Sequence, residues 1–123
     1  MTRTVLIVDD DAEVTRTFGE SLRAEGYEVR TAADGEDARR QLIGVDAIIL
    51  DLRMPMVDGL EFLRSVRKAN NDVPIALVTG DYLIDDAVVS EVERLDAKVL
   101  FKPLWIDELV DVTAAMVAQG AQP

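Results

Sequence analysis

Apolar and polar residues fall in blocks along this chain, and the period switches from block to block. Continuous apolar runs cover residues 4–8, 46–50, 73–78 and 97–101, the pattern of strands buried on both faces of a parallel sheet. A more polar run over 27–31 predicts a strand at the sheet edge. Between the runs the spacing becomes helical. Val14, Phe18 and Leu22 stand at i, i+4 and i+8 within a helix predicted over 11–25 and stopped by Gly26. Asp34, Gly35 and Glu36 open a second helix to Ile43, closed by Gly44, with Arg39 and Arg40 outward. A third is predicted from Leu60 to Ala69, with Asp58 as its cap and Glu61 completing a capping box. The segment 70–72 is turn chemistry. A fourth helix over 84–95 leaves Val89 off its apolar face. In a fifth, Ile106, Leu109, Val110, Thr113, Met116 and Val117 keep helical spacing.

Strand followed by helix, five times over with short connections, implies right-handed crossovers and an α/β fold. The expected architecture is a flavodoxin-like, doubly wound, five-stranded parallel sheet of order 2-1-3-4-5 with five helices. One domain is read over residues 1–118, with 119–123 as a frayed tail or the start of a linker. The order makes strands one and three neighbours and brings Asp9, Asp10 and Asp51 side by side.

Composition narrows the function. A net charge of −11 argues against nucleic-acid binding, which needs clustered Lys and Arg. No apolar stretch approaches the roughly 20 residues of a membrane span, and the first run is too short and too soon charged for a signal peptide. The absence of cysteine removes disulfide and thiolate chemistry. These features read as a cytoplasmic protein. The absence of histidine rules out an imidazole base, a histidine metal ligand or a phosphohistidine within this chain. Any phosphoryl donor must come from outside.

The strands end on residues of different chemical kinds: Asp9-Asp10, Asp51, Thr79 and Lys102-Pro103. In open α/β sheets that carboxyl edge is where ligands bind. Clustered carboxylates repel unless a cation intervenes, and Mg²⁺ prefers such oxygen ligands. Asp51, alone after its strand, is the natural nucleophile toward phosphorus. Thr79 and Lys102 are placed to hold phosphoryl oxygens. Taken singly, each has a plainer reading as a turn former, cap or loop residue, and Asp11 reads as the cap of the first helix.

With these residues in view, the chain resembles a response-regulator receiver domain of two-component signalling. The matching motifs are Val-Asp9-Asp10, the segment 51–59 (Asp-Leu-Arg-Met-Pro-Met-Val-Asp-Gly), Thr79-Gly80 and Phe101-Lys102-Pro103, which together span essentially the whole chain. The resemblance implies that Asp51 is the phosphorylated aspartate and Asp10 a direct Mg²⁺ ligand. It implies that Asp9 holds the metal largely through water and that the Arg53 carbonyl completes the protein ligands. Thr79 resembles the switch hydroxyl and Lys102 the phosphoryl-contacting lysine, with a cis bond expected before Pro103. The implied partners are a cognate histidine kinase or phosphotransfer protein, then a downstream target or a second copy. The output face would comprise helix four, strand five and helix five, near which Trp105, Ile106 and Val89 lie. The activity implied is self-catalysed phosphoryl acceptance and autodephosphorylation, not turnover of a separate substrate. Arg53 and Asp81, each two residues past an active-site residue, are expected to pair across the phosphoryl group and obstruct attacking water.

Two positions depart from the family pattern. Val99 stands where an aromatic ring usually reports phosphorylation, and strand alternation puts Phe101 on the same side as a substitute. Gly80 follows Thr79 and is expected to loosen that loop. Two competing readings remain. One is a receiver-like interaction module that no longer responds to phosphate. The other is an aspartyl-nucleophile phosphohydrolase, which Asp9-x-Asp11 fits superficially but Glu13 and the short chain do not.

Overall fold

The computed structural model describes residues 2–51, 56–80 and 84–120. Ten elements alternate along it: β1 (Thr4–Val8), α1 (Ala12–Ala24), β2 (Glu28–Ala32), α2 (Gly35–Arg40), β3 (Ala47–Asp51), α3 (Met56–Lys68), β4 (Ile75–Thr79), α4 (Asp86–Arg94), β5 (Ala97–Phe101) and α5 (Ile106–Gly120). All strand pairs are parallel and the order is β2-β1-β3-β4-β5, as the alternation predicts. β1, β3 and β4 are buried at every position, which explains their unbroken apolar runs. β2 and β5, at the edges, are only partly covered.

Each face of the sheet has its own core. Val5, Ile7, Ile49, Ala76 and Val78 face Leu22 of α1 and Leu109 and Met116 of α5. Leu6, Val8, Leu50 and Leu77 pack on the other face with Phe62, Leu63 and Val66 of α3 and Val92 of α4. Period-2 alternation along each strand distributes its side chains between the two cores.

Several boundaries differ from the sequence expectation, each for a local reason. α1 begins at Ala12 because Asp11 is its N-cap, accepting a hydrogen bond from the Glu13 N–H. Its far end closes on Gly26, at φ +97°, with Gly26 N–H bonded to Arg23 O and Tyr27 N–H to Leu22 O. Tyr27 is thereby committed to the helix end, and β2 starts at Glu28 instead. α2 is shorter than expected, ending at Arg40 and not Ile43. The Arg30 guanidinium takes the Gln41 and Ile43 carbonyls and holds 41–44 as a turn, with Gly44 at φ +77°.

β3 begins one residue later than expected. Asp46 is used as a clamp on β1, its N–H on Thr4 O and its Oδ2 accepting the Thr4 N–H. α3 begins at Met56, so Asp58 lies inside the helix and is not its cap. β4 starts at Ile75, because Val73 N–H is tied to the Asn71 side chain in the preceding turn. α4 is trimmed to Asp86–Arg94 by the Asp85 cap, and Val89 is half-buried at the edge of a groove. α5 runs on through Gln119 to Gly120, into the expected tail. The run Ala114-Ala115 and Ala118 favours helix and puts no break there.

Candidate functional site

Register sets the site. Val8 pairs with Leu50 and Leu50 with Leu77, so Asp9, Asp51 and Thr79 follow at nearly one level along three adjacent strands. Thr79 pairs with Phe101, which places Lys102 next to it, and Lys102 N–H donates to Thr79 O at 2.8 Å. The Lys102–Pro103 peptide bond is cis, as expected. The lysine side chain turns back across the sheet edge, with Nζ 2.7 Å from Asp51 Oδ2. Asp51 is 4% exposed and Thr79 also buried, while the lysine side chain stays partly exposed.

Asp9 is more enclosed still, at 2% exposure. Its N–H donates to Ala32 O, and its Oδ1 accepts the Asp11 N–H at 2.9 Å. Its Oδ2 is buried and finds no hydrogen-bond partner among the described residues. Burial, and then the neighbouring Asp51 carboxyl, push the Asp9 carboxyl up to about 7. Asp10, by contrast, is exposed.

Asp9 and Asp10 line an acidic pocket of about 220 Å³ with Thr15, Thr31 and Asp37. Asp51 and Lys102 border a larger one of about 410 Å³, walled by Val14, Phe18, Val78 and Leu104. Among the described residues no three carboxylates converge as a cation cage. The Lys102 ammonium supplies a counter-charge at Asp51. A divalent cation nonetheless suits what is present. Mg²⁺ commonly takes only one or two carboxylates and keeps its waters. The orphaned Asp9 oxygen beside Asp51, with Asp10 outside them, is an all-oxygen donor set of that kind.

Arg53 and Asp81, expected as metal-carbonyl donor and water-excluding pair, lie outside the described residues. Gly80 follows Thr79 at this edge. A Cβ there would meet Lys102 Cδ at 3.8 Å, an ordinary contact. The apolar wall of the larger pocket was not read as part of the site. Val14 and Phe18 register in the sequence as core-facing helix positions, and only the packing of α1 beside α5 shows them bordering Asp51.

A parallel doubly wound sheet carrying an Asp–Lys pair and a second buried aspartate at its carboxyl edge defines a class of α/β proteins with an acidic site at the strand ends. The model of the response regulator receiver domain matches residues 5–114, and the chain belongs to that family, the receiver domains of two-component systems. It is 38% identical over 120 residues to the transcriptional regulatory protein PrrA of Mycobacterium leprae, covering 95% of this chain and 51% of the relative. It is 38% identical over 111 residues to the response regulator MprA of Mycolicibacterium vanbaalenii, covering 86% of this chain and 46% of the relative. The chain thus spans about half the length of the curated relatives it matches. Among solved structures, the chemotaxis protein CheY4 of Vibrio cholerae superposes with a TM-score of 0.80 at 30% identity, over 94% of this chain and 99% of that one. No helix among the described residues is long and apolar enough to cross a membrane.

Proposed function

We propose that this domain accepts a phosphoryl group on Asp51 from a phosphohistidine of a cognate kinase or phosphotransfer protein, and that the transfer changes a protein-binding surface. The observation that carries the reading is the Asp51–Lys102 pair at 2.7 Å beside the unpartnered Asp9 carboxylate oxygen. A carboxylate can act as the nucleophile toward phosphorus, and the ammonium 2.7 Å away is positioned to hold a phosphoryl oxygen once the new bond forms. The Thr79 hydroxyl, on the next strand, takes another.

Asp9 and Asp10, with Asp51 and the Arg53 carbonyl, are the residues that would hold Mg²⁺. When bound, the ion supplies charge neutralisation for the transferred group. Arg53 and Asp81 flank the group and limit water, prolonging the phosphorylated state. The domain acts on itself alone, accepting and slowly losing phosphate. Its partners are the donor protein and then a downstream target or a second copy on the α4–β5–α5 face, in the cytoplasm and without direct nucleic-acid contact.

Incubation with Mg²⁺ and a small phosphodonor should add the mass of one phosphoryl group to the intact chain. Asp51→Asn should add none, and a variant that still gains the mass moves the acceptor elsewhere. Replacing Arg53 and Asp81 with Ala should shorten the lifetime of the phosphorylated form; an unchanged lifetime removes them as modulators.

A further inference from the structure

α4 is lightly held by the apolar core. Of its nine residues only Val92 is buried, whereas α3 buries Leu60, Phe62, Leu63 and Val66. Two arginines one turn apart on α3 make up the difference, and they grip α4 in different ways. Arg67 reaches the turn after α4, donating from Nε to Leu95 O at 2.6 Å and from Nη2 to Asp96 O at 3.3 Å. Its Nη1 also takes Asn71 O and Val73 O, both at 2.8 Å, in the turn before β4. That guanidinium thus staples two turns through backbone carbonyls, and Asp96, at φ +56°, is the left-handed residue closing the helix.

Arg64 grips the body of the helix through a side chain alone. It forms a two-pronged ion pair with Glu91, Nε to Oε2 at 2.5 Å and Nη2 to Oε1 at 2.7 Å. The pairing holds the Glu91 carboxyl below its ordinary range. On its other side α4 faces a groove of about 300 Å³, bordered by Val89, Glu93, Ala97, Lys98, Val99 and Phe101. A small side chain at Val99 leaves that space open.

We infer that Arg67 is the hinge of α4 and the Arg64–Glu91 fork its latch. With the latch closed, α4 stands off the groove over Val99. With it open, the helix turns about the Leu95–Asp96 end and the α4–β5 surface changes shape. That this movement answers phosphorylation of Asp51 rests on the function proposed above; the latch itself does not.

Hydrogen–deuterium exchange on the full, unphosphorylated chain tests it. Arg64→Ala and Glu91→Ala should each speed exchange of amides 88–92 by about threefold, the scale of one well-formed surface ion pair. Leu95 and Asp96 should keep their rates. Exchanging the two charges (Arg64→Glu with Glu91→Arg) should restore the slow rates at 88–92. Arg67→Lys, which keeps the charge but loses the fork, should release Leu95 and Asp96 first. Unchanged rates at 88–92 in the single variants, or a rise reaching equally to Leu95 and Asp96, would overturn the latch. Unchanged rates at Leu95 and Asp96 in Arg67→Lys would overturn the hinge. Phosphoryl gain by intact mass, read on the same samples, reports separately on Asp51: its absence overturns the acceptor reading alone.

Discussion

β3 and β5 each deliver a charged group to the same edge of the sheet, Asp51 ending one and Lys102 just past the other. Their support differs sharply. β3 lies between two neighbours, is buried at every residue and sends side chains into both cores. β5 is an edge strand whose Phe101 is 42% exposed and whose covering helix, α4, buries one residue. The Asp51 carboxylate therefore stands on a firmly packed strand, and the lysine that pairs with it stands at a lightly covered edge of the sheet. The two members of one ion pair are thus held by parts of the fold that differ in how much core supports them.

Core truncation gives the largest test of the contrast. Leu50→Ala in β3 should cost about 2–5 kcal/mol of unfolding free energy, while Val99→Ala in β5 should cost roughly 1 kcal/mol in the same denaturant titration. Equal losses would erase the distinction between the two strands.

The next effect is a pH dependence in Mg²⁺-free protein. Because burial pushes the Asp9 carboxyl from its ordinary 3.8 up to about 7 in the folded chain, folding is favoured when it is protonated. That contribution is full below about pH 4 and is lost as pH rises through 7, by on the order of 1–3 kcal/mol. Asp9→Asn should flatten that decline, and millimolar Mg²⁺ should offset it in the unaltered chain near pH 8. A wild-type stability that rises between pH 5 and 8 would contradict the assignment.

Smaller again is Thr113, buried with a hydroxyl that has no hydrogen-bond partner among the described residues. Thr113→Val should raise stability by about 1 kcal/mol, since it removes an unsatisfied polar atom without a change of shape. Smallest of all is Phe101→Ala. It should shift stability by no more than about 0.5 kcal/mol, and a loss comparable to Leu50→Ala would show β5 to be as firmly built as the centre.

Legibility from sequence followed the same division. The buried strands announced themselves as unbroken apolar runs, and their terminal residues were identified one by one, because parallel strands in this order have a single carboxyl edge. Boundaries were read less well wherever a long-range polar contact decided them. Arg30 shortens α2 by binding carbonyls eleven and thirteen residues away, and Asp46 leaves its strand to clamp Thr4 across 42 residues. Asp58 carried a good capping pattern, yet the helix had already begun.

What the amino-acid order determined by itself was the period of each segment, hence the sheet, its strand order and the set of groups gathered at its edge. These follow from short-range rules of burial and handedness that act on neighbours in the chain. The tertiary structure alone decided how those groups share the edge: Lys102 on Asp51, Asp9 sealed with one oxygen unpaired among the described residues, Asp10 left outside, and Arg64 on Glu91 across 27 residues. Such pairings depend on distances and exclusion of water set by packing, and no spacing along the chain encodes them.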